Sequence, residues 1–352
     1  MAARKMFRMG LIPGQSANLP SDCQPAAQGM PLEVARALSI DFSLAVPFSF
    51  PVHPAPSGGM AAVIHLYYAE LAVEIRDYLQ RVPFQLDVFI SARDEASRSA
   101  ISNIFKDWPG IVDVRIAPNR GRDIAPKLIT FRDVYDRYAY VLHLHTKRSP
   151  HASILAEWRH YLFESLCGNA EIVTSIMAIF EKNEKIGIIA PQHFEPIRHL
   201  IGWGKNFEEA SKLAQRMGIR IDSTAALDFP SGSMFWARSA SLRAILDLNL
   251  SLEDFDREEG QIDATFAHAV ERLYFFTCEK SGYDWVKITR PEMCPNTPSI
   301  YTATAFEDLD TFFTSRVFRL LDPGEVRPRT QHLHPIEEVP AALKTLSSQS
   351  AP

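Results

Sequence analysis

An α/β fold with a mostly parallel sheet flanked by helices is predicted by three observations. From residue 61 onward, short apolar strand-like runs alternate with helical patterns, the mark of βαβ units. Two of these runs, Val112–Ala117 and Tyr140–His145, each end in a dense polar cluster. Ligands of open α/β sheets sit outside the carboxyl ends of the strands, so a site is expected there. The composition, 46% hydrophobic and 22% charged over 352 residues, is that of a globular chain that needs no disulfide or metal to hold its core.

The elements follow in order. Ala61–Tyr67 reads as a buried strand, and Ala69–Arg81 as a helix with Leu71, Ile75, Tyr78 and Leu79 on one face. Phe84–Ser91 is a second strand, Arg93–Phe105 a helix and Val112–Ala117 a third strand. Pro126–Arg137 reads as a helix leading into the fourth strand, Tyr140–His145. Right-handed crossovers are expected throughout. Helices follow at Ile154–Leu166 and Glu171–Asn183, then a short strand, Ile186–Ala190, stopped by Pro191. Gln192–Asn206 is loop-like and holds His193, His199, Trp203 and Lys205. Phe207–Met217 is helical, Phe229–Ala237 a turn running into a strand, and Ser241–Leu248 helical. An acidic loop, Leu252–Gly260, precedes a helix over Asp263–Tyr274.

Residues 1–58, rich in Pro, Ala, Ser and Gly, are expected to form a weakly ordered extension without chemistry. One domain is expected over 59–323, and a polar, proline-rich tail over 324–352. A net charge of -5 gives no global footprint for nucleic acid. The four cysteines, at 23, 167, 278 and 294, have no C-x-x-C spacing, so zinc and disulfide frameworks are not expected. Arg4, Lys5 and Arg8 precede an apolar run broken by Pro13, which does not read as a signal peptide. No apolar run reaches the roughly eighteen residues a membrane span needs.

Four clusters are candidates for chemistry. In Asn119-Arg120-Gly121-Arg122-Asp123, Gly121 permits close backbone approach and the two arginines offer planar forks for phosphate. Asp123 suits a base or ribose, and equally a helix cap. In His143-Leu144-His145-Thr146-Lys147, strand periodicity puts both histidines on one face, beside Lys147 and Arg148. Those cations disfavour a divalent metal and favour an anion such as a diphosphate. In Ser231-Gly232-Ser233, with Phe235 and Trp236 following, the turn suits a sugar, whereas each aromatic is as readily core. In the stretch from Asp254 to Asp263, Glu258, Glu259 and Asp263 are candidates for a general base, and His268 and Arg272 share a face of the next helix. Capping for Asp263 and a solvated loop for the glutamates are the plain alternatives.

Together these residues resemble the rhamnan synthesis protein F family of bacterial cell-surface polysaccharide glycosyltransferases. The matching pieces are His65-Leu-Tyr-Tyr68, Asn119-Arg-Gly-Arg-Asp-Ile-Ala-Pro126, His143-Leu-His-Thr-Lys-Arg-Ser149, Trp158-Arg159, Gly232-Ser-Met-Phe-Trp236 and Asp263–Arg272. The resemblance runs from about residue 61 to about 285 and departs at Ala264, where it implies glycine.

It implies a GT-A-like, Rossmann-like sheet and an inverting, metal-independent transfer, with no cofactor. His143-Leu144-His145 stands where such enzymes carry Asp-x-Asp. The implied donor is dTDP-L-rhamnose and the acceptor a lipid-linked saccharide of a surface polysaccharide or O-antigen. The implied place is the cytoplasm, with peripheral contact at the inner face of the membrane. In this scheme His65, Tyr67, Asn119, Arg120, Gly121, Arg122, Asp123, His143, Lys147, His268 and Arg272 hold the nucleotide and diphosphate. Ser231, Gly232, Ser233 and Trp236 line the sugar and acceptor, and Asp263, Glu259 and His145 are catalytic. The alternative is a non-catalytic saccharide-binding or assembly subunit of a synthesis complex.

Overall fold

In the computed structural model, residues 43–146, 153–224, 227–259, 261, 263–294 and 300–315 are described. Nine strands form one sheet among them: β1 Ser43–Ala45, β2 Met60–His65, β3 Asp87–Ala92, β4 Val112–Ile116, β5 Tyr140–His145, β6 Ile186–Pro191, β7 Phe235–Arg238, β8 Asp284–Thr289 and β9 Ile300–Tyr301. Their order is β4-β3-β2-β5-β7-β6-β8-β1-β9. All neighbours pair parallel except β7, which runs antiparallel to both β5 and β6. The predicted α/β class, a mostly parallel sheet flanked by helices, is therefore present.

The helices are α1 Ala72–Leu79, α2 Glu95–Ile104, α3 Ser153–Cys167, α4 Ala170–Lys182, α5 Phe207–Arg216, α6 Arg243–Leu246, α7 Phe266–Lys280 and α8 Asp308–Ser315. They cover both faces of the sheet, so the central strands are buried on both sides. Leu142, Leu144 and Trp236 face one core with Leu162, Ile176 and Phe312. Val141 and Phe235 face the other with Leu213, Val270 and Leu273. Asp94 caps α2 by accepting from Ser97 N at 2.7 Å, which satisfies one of the free N–H groups of its first turn.

Several elements differ from the sequence reading. Ser43–Ala45, expected in the extension, is an interior strand between β8 and β9. The segment expected as a helix over Pro126–Arg137 is a wide turn, Pro126–Thr130, followed by a tight one, Arg132–Asp136. Arg115 Nη1 donates to the Thr130 carbonyl at 2.7 Å, which takes an acceptor that a continuous helix would use. The helix expected from Asp263 begins two residues past Ala264, which takes a left-handed φ of 63°. Strand β8 has no counterpart in the sequence reading, since Asp284 and Lys287 interrupt its apolar run, and neither have β9 and α8 beyond it.

Candidate functional site

The carboxyl ends of β2, β3 and β5 and the amino end of β7 meet at one edge of the sheet. His65 pairs in register with His145 on one side and Ser91 on the other. His65 Nδ1 lies 2.8 Å from Ser91 Oγ. Burial lowers the His65 imidazole from 6.5 to about 4, so it is neutral at ordinary pH. Thr146 Oγ1 accepts from the backbone N–H of Tyr67 at 3.1 Å and of Tyr68 at 3.4 Å. The Tyr67–Tyr68 pair is thereby tied to the end of β5, its rings 5.1 Å apart edge to face.

Asp123 sits at the centre of the edge and caps no helix. Its Oδ2 accepts from Lys127 Nζ at 2.8 Å and lies 3.8 Å from His145 Nε2. Burial opposes its charge, but His145 and Lys127 outweigh that and hold its carboxyl below the usual range. Lys127 is fully buried, and burial lowers its ammonium despite Asp123. The same Nζ donates to the Ser233 carbonyl at 2.8 Å. His145 Nε2 lies 2.7 Å from the Gly232 carbonyl, so that nitrogen carries the hydrogen. Gly232 N donates to Glu271 Oε1 of α7 at 2.8 Å. Three charged or polar groups from three elements thus clamp the Ser231–Ser233 turn. Gly232 and Ser233 adopt left-handed φ values of 87° and 54°. Strain of this kind persists only where the surroundings over-determine it, and it collects at functional sites.

The Arg120–Arg122 turn is left-handed at Gly121 and Arg122, with φ of 70° and 54°. A Cβ at Gly121 would meet Phe255 Cδ1 at 2.5 Å. Arg120 Nε donates to the Phe255 carbonyl at 2.7 Å, and its Nη2 faces Glu253 O at 3.4 Å. Arg122 Nη1 donates to His268 Nε2 at 2.9 Å, and its Nη2 donates to the Gln261 carbonyl. Arg122 Nε, buried, has no hydrogen bond and only Glu258 Oε2 at 3.7 Å. Both arginines therefore brace the 253–261 loop, and Arg122 keeps one unmet donor. His268 takes its hydrogen on Nδ1, 2.7 Å from Thr265 Oγ1. Burial, and secondarily Arg122, lower it to about 4.

Asp263 does not cap α7 either; Thr265 does, by accepting from His268 N. The Asp263 carboxylate accepts from Asn206 Nδ2 at 2.6 Å, Lys205 N at 3.4 Å and Arg272 Nη2 at 3.5 Å. Arg272 also donates to the Gly202 carbonyl at 2.9 Å. Asn119 and Glu259 are exposed at the rim. Lys147 lies outside the described residues.

Two candidates lie away from any open surface. His143 is fully buried, with Nε2 2.8 Å from Tyr135 Oη and its ring 4.5 Å from Phe235. Trp236 is also fully buried and donates from Nε1 to the Leu166 carbonyl at 3.0 Å. Both belong to the core, because the period-two argument fixes the face of a strand but not the depth along it.

Sequence reasoning gave no role to Lys127, Asn206 or Asp228, and named His193 only as a loop residue. The i, i+4 spacing of Asp123 and Lys127 was an available signal. The others come together only through the fold. Among the described residues, no three His, Cys, Asp or Glu side chains converge as a metal ligand set. No single helix among them is long and apolar enough to cross a membrane.

The family model described as rhamnan synthesis protein F matches residues 52–283. Two curated relatives, each called uncharacterized protein WxcX, come from two strains of Xanthomonas campestris pv. campestris. Each is 32% identical over 245 residues, 69% of this chain and 34% of the relative. The chain thus spans about a third of the length of the curated relatives it matches.

Proposed function

The chain belongs to the rhamnan synthesis protein F family, and on that premise we propose that it is a nucleotide-sugar-dependent glycosyltransferase. Membership places the chain in rhamnan, that is polysaccharide, synthesis. The finer reading is transfer of L-rhamnose from dTDP-L-rhamnose to a growing lipid-linked saccharide, with inversion, on a GT-A-like sheet. The work is then done on the cytoplasmic side, at the membrane surface where such acceptors sit.

The observation that carries this reading is the unmet Arg122 N–H. A buried donor without a hydrogen bond has room for an acceptor, and among the arginines in that state Arg122 is the one on the Arg120–Arg122 turn. It stands on a strained turn just past β4 of an open sheet, where phosphate-bearing ligands bind. A diphosphate oxygen would satisfy it and displace the loose Glu258 contact. Tyr67 and Tyr68 offer ring surface for the base. The Ser231–Ser233 turn lies across the edge from them, suited to the sugar. With His65 and His268 neutral, arginine supplies the charge that opposes the leaving diphosphate.

Calorimetry with dTDP and a transfer assay with dTDP-L-rhamnose and a rhamnose oligosaccharide test the proposal. Arg122→Lys keeps the charge and loses the fork, so about a tenfold loss of dTDP affinity is expected. Equal affinity in the variant, or turnover abolished by EDTA and restored by Mn²⁺, would overturn the diphosphate assignment. Binding of donor without transfer to any acceptor would favour the non-catalytic subunit instead.

A further inference from the structure

A second polar chain starts at the Ser231–Ser233 turn and leads inward, away from Asp123. Ser231 Oγ lies 3.0 Å from His193 Nδ1, and His193 Nε2 lies 2.9 Å from Asp228 Oδ1. Lys287 Nζ donates to Asp228 Oδ2 at 2.6 Å. All four residues are buried, from 5% exposed at Ser231 and 4% at His193 to 0% at Asp228 and 1% at Lys287. His193 follows β6, Asp228 and Ser231 precede β7, and Lys287 lies within β8. His193 is seated further by its backbone N–H, which donates to Gln192 Oε1 at 2.7 Å. Gln192 Nε2 in turn donates to Ser43 Oγ of β1 at 2.6 Å.

Asp228 places one proton. An ionised carboxylate only accepts, so His193 Nε2 carries the hydrogen. In the tautomer with its only hydrogen there, Nδ1 accepts from the Ser231 hydroxyl. Nδ1 is turned to a hydroxyl, and the far side of the ring is held by a carboxylate. That is the general form of a base assembled to take a proton through a hydroxyl. Burying such a chain is costly, and buried ion pairs are often replaced by well-packed apolar residues at no loss of stability.

We infer that Ser231, His193 and Asp228 form a proton relay for the acceptor hydroxyl in sugar transfer. The inference rests on the glycosyltransferase reading above. The acceptor oxygen bonds to the anomeric carbon of the donor sugar as the bond from that carbon to the diphosphate oxygen breaks. The electron pair of the broken bond leaves with the nucleoside diphosphate. The acceptor proton passes to Ser231 Oγ, and the Ser231 proton passes to His193 Nδ1. Asp228 stabilises the resulting imidazolium, and Lys287 holds Asp228 in place from its other oxygen.

The other groups at this edge are less suited. His145 Nε2 is already a donor to Gly232. Asp123 is tied to Lys127, and Asp263 shares its oxygens among three donors. Glu259 lies on the exposed side of its loop.

The test uses the full chain, dTDP-L-rhamnose, a rhamnose oligosaccharide acceptor, and dTDP binding by calorimetry. His193→Gln and Ser231→Ala are each expected to lower kcat by roughly 10²–10⁴-fold, the usual span for general base catalysis. Donor affinity should stay within about threefold in both, since neither side chain touches the diphosphate in this scheme. Ser231→Thr restores the hydroxyl and should recover most of kcat, which a purely structural role would not give. Ser231→Ala carries the test by itself if His193→Gln fails to fold. The relay is overturned if Ser231→Ala keeps parental kcat, or if dTDP affinity falls in step with kcat. It is equally overturned if Asp263→Asn or Glu259→Gln abolishes transfer while His193→Gln does not. A parent chain that binds dTDP and transfers nothing sinks the glycosyltransferase reading and the relay together. A parent that transfers, with His193→Gln unimpaired, sinks the relay alone.

Discussion

The buried His65 makes the stability of this chain sensitive to acid in a way that can be worked out beforehand. His65 ends β2 and is 8% exposed, and burial lowers its imidazole from 6.5 to about 4. Asp123 pulls it back up, and His145 and Lys127 push it down further. The unfolded chain takes up this proton as the pH drops through 6.5, whereas the folded chain waits until about 4. Between those values the unfolded state binds more protons, so stability falls as the pH falls. Integrating the two titrations from about pH 7 to about pH 5 gives a loss of roughly 2 kcal/mol from His65. Urea unfolding, followed by tryptophan fluorescence across that range, measures it as a shift of midpoint at constant slope. His65→Gln keeps a polar group beside Ser91 and has nothing to titrate. The parent should therefore lose about 2 kcal/mol more than the variant on going from about pH 7 to about pH 5. His268, lowered to about 4 by burial and Arg122, contributes in both proteins and cancels. Parallel stability curves for parent and variant, within about 0.5 kcal/mol, would refute the claim that His65 is buried neutral.

Three further outcomes follow from single contacts. Asp123→Asn leaves the fully buried Lys127 ammonium without its counter-charge and should cost about 3–5 kcal/mol in urea unfolding. Ala264→Gly relieves a left-handed φ of 63°. That strain costs about 1–2 kcal/mol, and the added chain entropy of glycine offsets about 0.5–1. A net gain of about 0.5–1 kcal/mol should appear as a rise of a few degrees in Tm, and a fall would contradict it. Gly121→Ala places a Cβ 2.5 Å from Phe255 Cδ1 and 2.6 Å from Ala125 Cβ, at a φ of 70°. It should lower Tm clearly and weaken dTDP binding, because the Arg120–Arg122 turn must move.

The central sheet was legible because its strands are buried on both faces and read as unbroken apolar runs, as in Val141, Leu142 and Leu144 of β5. Strand β8 was not, because Lys287 and Asp284 break the run, and the buried Lys287 is paired there with Asp228. Ser43–Ala45 was hidden because three residues among prolines carry no period. Its place depends on register with Ile288 and Tyr301, far along the chain. The site was legible as clusters but not as contacts. Arg120 and Arg122 read as phosphate forks, yet their nearest acceptors are the Phe255 and Gln261 carbonyls, 135 and 139 residues away in sequence. No local pattern encodes that.

The antiparallel strand β7 explains why this edge concentrates chemistry. A parallel strand would enter from the opposite edge and bring only its last residue to this one. Because β7 runs the other way, the Ser231–Ser233 turn leads into it at the carboxyl ends of β2 and β5. There its backbone meets His145 of β5, Lys127 before β5 and Glu271 of α7. On its other side Ser231 meets His193, just past β6. A displacement of either histidine bears on one strained turn whose φ angles leave it little room to adjust. Coupling between donor binding at the Arg122 side and proton transfer at the His193 side would then run through the carbonyls of Gly232 and Ser233. It follows that Glu271→Gln, which keeps a hydrogen-bond acceptor for Gly232 N, should be far milder than Glu271→Ala, which removes it. Equal loss of transfer in the two would mean that the Glu271 charge, rather than its hold on the turn, is what the site uses.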